Sequence, residues 1–277
     1  MVLLKSIFIT AAASILLASS AIAEQVPQWE IGAGAAYIDF PDYRGSNERE
    51  TYVLPIPYVI YHGDILKVDR QRVRGLLFHT EAAELDVSVN GTVPVRNNGA
   101  RQGMPNLDPT FEIGPALNIS LHKSESNHAQ LELRLPLRSV IATDFSYLRD
   151  IGFMFQPQLN LDVQNVFDQT GWNLGMGAGP IFTDRRYNQY FYGVDASYAR
   201  PDRPAYTASG GYTGSQVVAA LTKRFPSYWI SGFVKWDRLQ GAAFEGSPLV
   251  KSKESATFGF AVSWVFAESS IKVDEDN

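Results

Sequence analysis

Along much of this chain apolar and polar residues alternate one by one, which in an extended strand sends them to opposite faces. Leu131, Leu133, Leu135 and Leu137 fall on one face, and Glu132, Arg134, Pro136 and Arg138 on the other. Phe111, Ile113, Pro115, Leu117, Ile119 and Leu121 likewise oppose Glu112, Gly114, Ala116, Asn118, Ser120 and His122. Further on, Ile151, Phe153, Phe155, Leu159, Leu161 and Val163 oppose Gly152, Met154, Gln156, Gln158, Asn160 and Asp162. A soluble β-sandwich also alternates, but its strands need only about five or six residues. Runs of about 10 to 14 residues with charges and amides on the polar face suit tilted strands between lipid and an aqueous lumen.

The pattern predicts an all-β fold, an antiparallel transmembrane β-barrel of about twelve strands. They are read at 29–40, 51–61, 65–78, 83–95, 110–122, 128–142, 150–164, 171–183, 190–199, 212–224, 228–238 and 255–266. Arg70, Gln71 and Arg72 interrupt the third, as a bulge or a turn would. An even count puts both termini on the periplasmic side. Connections 41–50, 79–82, 123–127, 165–170, 200–211 and 239–254 then face outward, and 62–64, 96–109, 143–149, 184–189 and 225–227 inward. Trp29, Tyr37, Tyr43, Tyr52, Tyr58, Tyr61, Trp172, Tyr187, Tyr190, Tyr228, Trp229 and Trp236 lie near strand ends. Girdles at the two lipid interfaces are the membrane reading of these rings, and ordinary strand enrichment in aromatics is the other.

The first 23 residues carry Lys5, an apolar run from Ile7 to Ala18 and then Ala21-Ile22-Ala23. That is a signal peptide with a small-residue cleavage site, since a membrane anchor needs about 20 apolar residues. The chain then divides into a signal peptide at 1–23, a barrel at 24–266 and an acidic tail at 267–277. The tail lacks a strand pattern and is expected to hang in the periplasm. The expected location is the outer membrane, with its lipid around the barrel.

Composition narrows the chemistry. The chain has no cysteine, which excludes lipid acylation, a disulfide framework, zinc–thiolate sites and cysteine nucleophiles. A net charge of −5 disfavours nucleic acid. His62, His79, His122 and His128 have no metal-ligand spacing, and only His122 falls on a lumen-facing position. No serine sits in a Gly-x-Ser-x-Gly context. Gly175, Gly177 and Gly179 mimic a phosphate loop, but their period of two belongs to one face of a strand, where they leave room in the lumen. Glu132, Arg134 and Arg138 read as a lumen network. No enzyme activity, metal or cofactor is expected.

Several stretches resemble the MltA-interacting protein (MipA/OmpV) family of outer-membrane proteins. They are Pro41-Asp42-Tyr43-Arg44-Gly45-Ser46, Gly114-Pro115, Gly179-Pro180, Asn188 to Val194, Tyr206 to Tyr212, Arg238 to Ala243 and Ser247-Pro248-Leu249-Val250, in family order. The tail after Phe266 and Gly241-Ala242-Ala243, where an acidic residue is expected after the glycine, depart from the family pattern. The resemblance implies a scaffold joining a murein lytic transglycosylase to a penicillin-binding protein. A small-solute channel and a surface adhesin are the alternatives. With 96–109 read as periplasmic and too long for a tight turn, its polar residues Arg96, Asn97, Asn98, Arg101, Gln102, Asn106 and Asp108 are the candidate partner surface.

Overall fold

The computed structural model describes residues 25–62, 66–68, 73–75, 78–80, 82–124, 128–144, 146–166 and 171–274. The expected signal peptide and the Arg70–Arg72 interruption lie outside the described residues. Long antiparallel strands follow the alternation: β2 (Trp29–Pro41), β3 (Arg49–His62), β7 (Ala83–Thr92), β8 (Thr110–Ser124) and β9 (Ala129–Thr143). After β10 (Leu148–Phe155) and β11 (Gln158–Val163) come β12 (Trp172–Thr183), β13 (Gly211–Arg224), β14 (Tyr228–Arg238) and β15 (Glu254–Glu268). With the short β4 (Leu66–Val68), β5 (Val73–Gly75) and β6 (Phe78–His79) they make a fourteen-stranded sheet. β2 pairs with β15 along their length, and β5 lies beside β7, so the two ends of the strand order meet and the sheet curls into a barrel.

The two faces are those the alternation predicts. Leu137, Phe153, Leu159, Val217, Phe258, Phe260 and Trp264 point outward, while Asp86, Glu112, Asn118, Arg138, Thr213 and Asp237 are buried inside. Such an exposed apolar belt over a polar interior suits lipid outside and water or protein within. Bulges correct the register locally. One between Ser120 and His122 pairs His122 with the outward Leu131, so this histidine leaves the lumen-facing row. Another between Asp150 and Gly152, with Gly152 at φ 125°, turns Ile151 inward.

β10 and β11 are one strand bent at Gln156-Pro157, both pairing with β9 and β12. Proline cannot donate to the ladder, and Gly179 of β12 lets the bend close because a Cβ there would collide with the Pro157 carbonyl. Gly175, Gly177 and Gly179 pair with Ala220, Val218 and Gln216 on the lumen row, where they leave space rather than cradle a phosphate.

Two strand expectations fail, with linked consequences. The third run reverses direction between β4 and β5, which pair antiparallel, so every pass from there on is inverted relative to expectation. The ninth run is not a strand: Arg185–Tyr192 forms helix α1, and a 3-10 turn follows at Ala196–Tyr198. Asp184 caps α1 by accepting from the Tyr187 N–H at 2.9 Å. The loss of that strand restores the original parity from β13 onward. As a result 41–48, 93–109, 146–147, 184–210 and 239–253 share one end of the barrel, and residues 25–27 and 272–274 share the other with the turns near 80, 128, 165 and 226. The tail is also structured: β16 (Lys272–Asp274) pairs with β1 (Gln25–Pro27), so the described part of the tail does not hang free.

The outward row yields a direct check. Phe260 is 53% exposed on the middle of β15, and an arginine in lipid at mid-depth costs about 2–4 kcal/mol. Phe260→Arg should lower folding stability by that amount in urea titrations in lipid vesicles; no loss would mean that this row does not face lipid.

Candidate functional site: a packed cap with two clefts

The long connections at the end opposite the termini fold together as a cap over the barrel mouth. Its centre is apolar: Tyr43, Leu107, Tyr187, Phe191, Tyr192, Leu239 and Phe244 pack against the inward wall residues Val140, Met154 and Ile181. The Tyr192 and Phe244 rings stack in parallel. Tyr187, Asn188, Phe191 and Tyr192 are buried on α1, a helical spacing that turns one side of α1 into the mouth. Polar bonds tie the loops to one another. Tyr192 Oη donates to the Arg44 carbonyl at 2.9 Å, Tyr43 Oη to the Leu249 carbonyl at 2.8 Å, and Ser247 Oγ to the Tyr192 carbonyl at 2.7 Å. Arg203 donates to the carbonyls of Ala100 and Gln102 at 3.0 and 2.9 Å.

Beneath the cap a continuous polar chain runs along the inner wall from β8 to β14. Arg138 pairs with Glu112 at 3.1 Å and donates to Gln156 at 2.7 Å. Gln156 donates to Gln216 at 3.1 Å, Gln216 to Asp237 at 3.1 Å, and Arg44 donates to Asp237 at 2.8 Å. The step from Gln156 to Gln216 passes over β12 at Gly179. Arg44 belongs to the cap, so its bond to Asp237 fastens cap to wall. Near the other end Tyr58 Oη donates to Glu30 at 2.5 Å, and Arg224 pairs with Glu30 at 3.0 Å. Of the three residues expected in a lumen network, Arg138 lies on this path, Arg134 pairs with Asp86 at 3.8 Å and Glu132 accepts from Gln130 at 2.9 Å; Glu112, Gln156, Gln216 and Asp237 make up the rest of the path. Four of the expected interfacial aromatics, Tyr43, Tyr58, Tyr187 and Trp229, are buried within the barrel or its cap.

The candidate residues of 96–109 belong to this cap, at the same end as 41–50. Asn98 donates to Asp42 at 2.7 Å and to Ser46 at 3.2 Å, and the Gly99 N–H donates to Glu48 at 2.8 Å. Asn97, Asn98, Arg101, Gln102 and Asn106 line a cleft of about 440 Å³. Arg101 and Asn106 also line a neighbouring cleft of about 450 Å³, opposite Arg149, Arg185, Tyr190 and Tyr198. Arg96 is exposed outside both clefts. Asp108 accepts from Tyr147 Oη at 2.6 Å, and its own N–H donates to Tyr190 Oη at 2.8 Å.

Sequence reasoning missed Arg149, Arg185 and Tyr190 as cleft residues, because α1 and β10 reach this place only through the fold. The available signal was Asp184 before Arg185-Arg186, a helix-capping residue. Burial pushes the Arg101 guanidinium below its usual range and raises the Tyr190 phenol. Burial also raises the Asp42 carboxyl; its bond from Asn98 opposes this, and Glu50 and Glu48 add to it. No group of three or more His, Asp or Glu among the described residues could hold a metal ion.

A strand ladder curled into a barrel, with an apolar belt, a polar lumen and a capped mouth, defines the class of outer-membrane β-barrel proteins. Residues 31–266 match the family model described as MltA-interacting protein MipA, and the chain belongs to that family. YiaT of Escherichia coli K12, whose name places it in the outer membrane, is 24% identical over 245 residues, covering 85% of this chain and 90% of that one. YiaT of E. coli O157:H7 matches to the same extent. An outer membrane channel from Pseudomonas putida F1 covers 89% of this chain and 98% of its own at 13% identity and a TM-score of 0.45. The P. putida toluene transporter TodX covers 88% and 68% at 10% identity and a TM-score of 0.27. The protein is an outer-membrane β-barrel.

Two substitutions test the site's construction. Phe244 is fully buried in the plug, so Phe244→Ala should destabilise the cap by about 3–5 kcal/mol and expose its loops to protease while the barrel stays folded. Glu112 is 1% exposed; Arg138→Met strands its charge and should cost about 3–5 kcal/mol, most of which the double variant with Glu112→Gln recovers. Equal stability of the single and double variants in urea titrations would contradict that pairing.

Proposed function

We propose that this protein works as an interaction protein of the cell envelope, and not as an open diffusion pore or an enzyme. The observation that carries the reading is the cap: aromatic side chains buried in the mouth, above an inner wall lined from Glu112 to Asp237 by bonded side chains. A pore for small solutes needs an unobstructed aqueous path, and aromatic packing in the mouth argues against one. The family's description as MltA-interacting supports a murein lytic transglycosylase as partner, with a penicillin-binding protein joining through it.

In this reading the end that carries both termini faces the periplasm, as short turns there and long connections opposite would suit. A murein enzyme then meets the barrel at the β1–β16 ribbon and turns such as Pro226-Ser227, and Arg96 to Asp108 are left to ligands arriving from the other side.

Photo-reactive residues at Ser227 and Arg96, both exposed, test the assignment in intact envelopes. Ser227 should capture a lytic transglycosylase and Arg96 should not; capture at Arg96 alone would overturn it. Purified barrel in planar bilayers should show no sustained open-channel conductance, and a steadily open pore would favour the channel reading.

A further inference from the structure

We propose that the two clefts of the cap form one binding site for an acidic saccharide, a sugar bearing a carboxylate or a phosphate. Arg101, Met104, Pro105 and Asn106 line both clefts, so the two are halves of one concavity with Arg101 between them. Each half has the volume of an ordinary small-molecule site. The site lies at the end opposite the termini and is independent of the murein-partner reading.

The anion is called for by the arginines. Arg101 is only 7% exposed, yet its hydrogen-bond acceptors are backbone carbonyls: Nη1 donates to Phe191 at 2.9 Å and Nη2 to Pro105 at 3.2 Å, while Nε has no hydrogen-bond partner. Arg203, also buried, stands close enough to repel it and likewise donates to carbonyls. A buried guanidinium without a carboxylate is costly, and an oxyanion in the cleft would offset that cost with charge-assisted bonds. Exposed Arg185 on the opposite wall makes no ion pair among the described residues. The acids of the cleft do not cancel these cations, because Asp150 is already engaged by Arg186 at 3.4 Å, which leaves Asp195. Burial pushes the Arg101 guanidinium downward, in keeping with a cation awaiting a counter-charge.

The sugar body is called for by the second half. Asn97, Asn98, Gln102 and Asn106 present amides, which both donate and accept and so match vicinal hydroxyls. Asn98 is 5% exposed and its Oδ1 has no partner, an acceptor suited to a hydroxyl donor. Tyr190 and Tyr198 add aromatic side chains to the first half, with Arg149 held over the Tyr190 ring at 4.9 Å. A bare anion would leave the amides idle, and a neutral sugar would leave Arg101 and Arg185 without a counter-charge.

The test uses the folded full-length barrel in detergent and in vesicles, titrated by calorimetry with galacturonate and glucose 6-phosphate. Galactose, glucose, acetate and inorganic phosphate are the comparators. At least one acidic sugar should bind saturably and ten-fold or more tighter than both its neutral counterpart and the bare anion. Arg185→Gln and Asn106→Ala change exposed side chains, so the barrel should keep its heat-shifted gel mobility while affinity falls five-fold or more. In vesicles containing lipopolysaccharide with an acidic core, loss of soluble-sugar binding assigns the ligand to a lipid-borne glycan, and retention assigns it to a soluble one. Equal binding of neutral and acidic sugars, equal binding of bare phosphate, no saturable binding to the folded barrel, or unchanged affinity in both variants would each overturn the proposal.

Discussion

In the hydrocarbon of a bilayer no water is present to satisfy backbone N–H and C=O groups, so a strand protein must pair every one of them within itself. The rest of this structure depends on that constraint. It forces the sheet to curl until β2 meets β15 and β5 meets β7, and it makes one face of every long strand apolar. Chain reversals and irregular backbone are then confined to the two ends. Bulges are tolerated inside the wall only where neighbouring strands still bond the flanking residues, as at Asp150–Gly152 and Ser120–His122.

Closing the sheet creates an interior that must be filled or left wet, and this chain fills it in two ways. At the level of Glu112, Gln156 and Asp237 it uses charges and amides bonded to one another along the wall. At the mouth it uses aromatic packing delivered by α1 and the long loops. Arg44 joins the two regimes, since its backbone carbonyl accepts from Tyr192 in the plug and its guanidinium holds Asp237 on the wall. The cap is therefore part of the barrel's own interior packing, and its polar outer surface is free to carry the two clefts.

How much was legible follows from which residues lipid constrains. β8, β9, β12 and β15 could be read within a few residues because lipid imposes a period of two on Phe111, Leu137, Met176 and Phe260. Where lipid does not press on the chain the signal fails. The reversal after Val68 occurs in segments of three residues, too short to show a period. Tyr190, Tyr192 and Val194 alternate like a strand, yet the capping Asp184 and the burial of Tyr187, Asn188, Phe191 and Tyr192 belong to a helix. Those two errors inverted the sidedness of everything between them, which is why 96–109 had been set apart from 41–50. Asn97, Asn98, Arg101 and Asn106 stood out because a long polar segment is unusual in a barrel. Arg149 and Arg185 did not, since only the fold brings them across from Arg101.

The packed cap and the β1–β16 ribbon lie at opposite ends of one barrel, and the proposed orientation puts the cap on the cell surface. Because the chain has no native cysteine, single cysteines at Gln102 and Ser227 can be probed on intact cells with a membrane-impermeant maleimide. In that orientation Gln102→Cys should be labelled without treatment and Ser227→Cys only after the outer membrane is permeabilised. Labelling of Ser227→Cys on untreated cells, with Gln102→Cys protected, would contradict it.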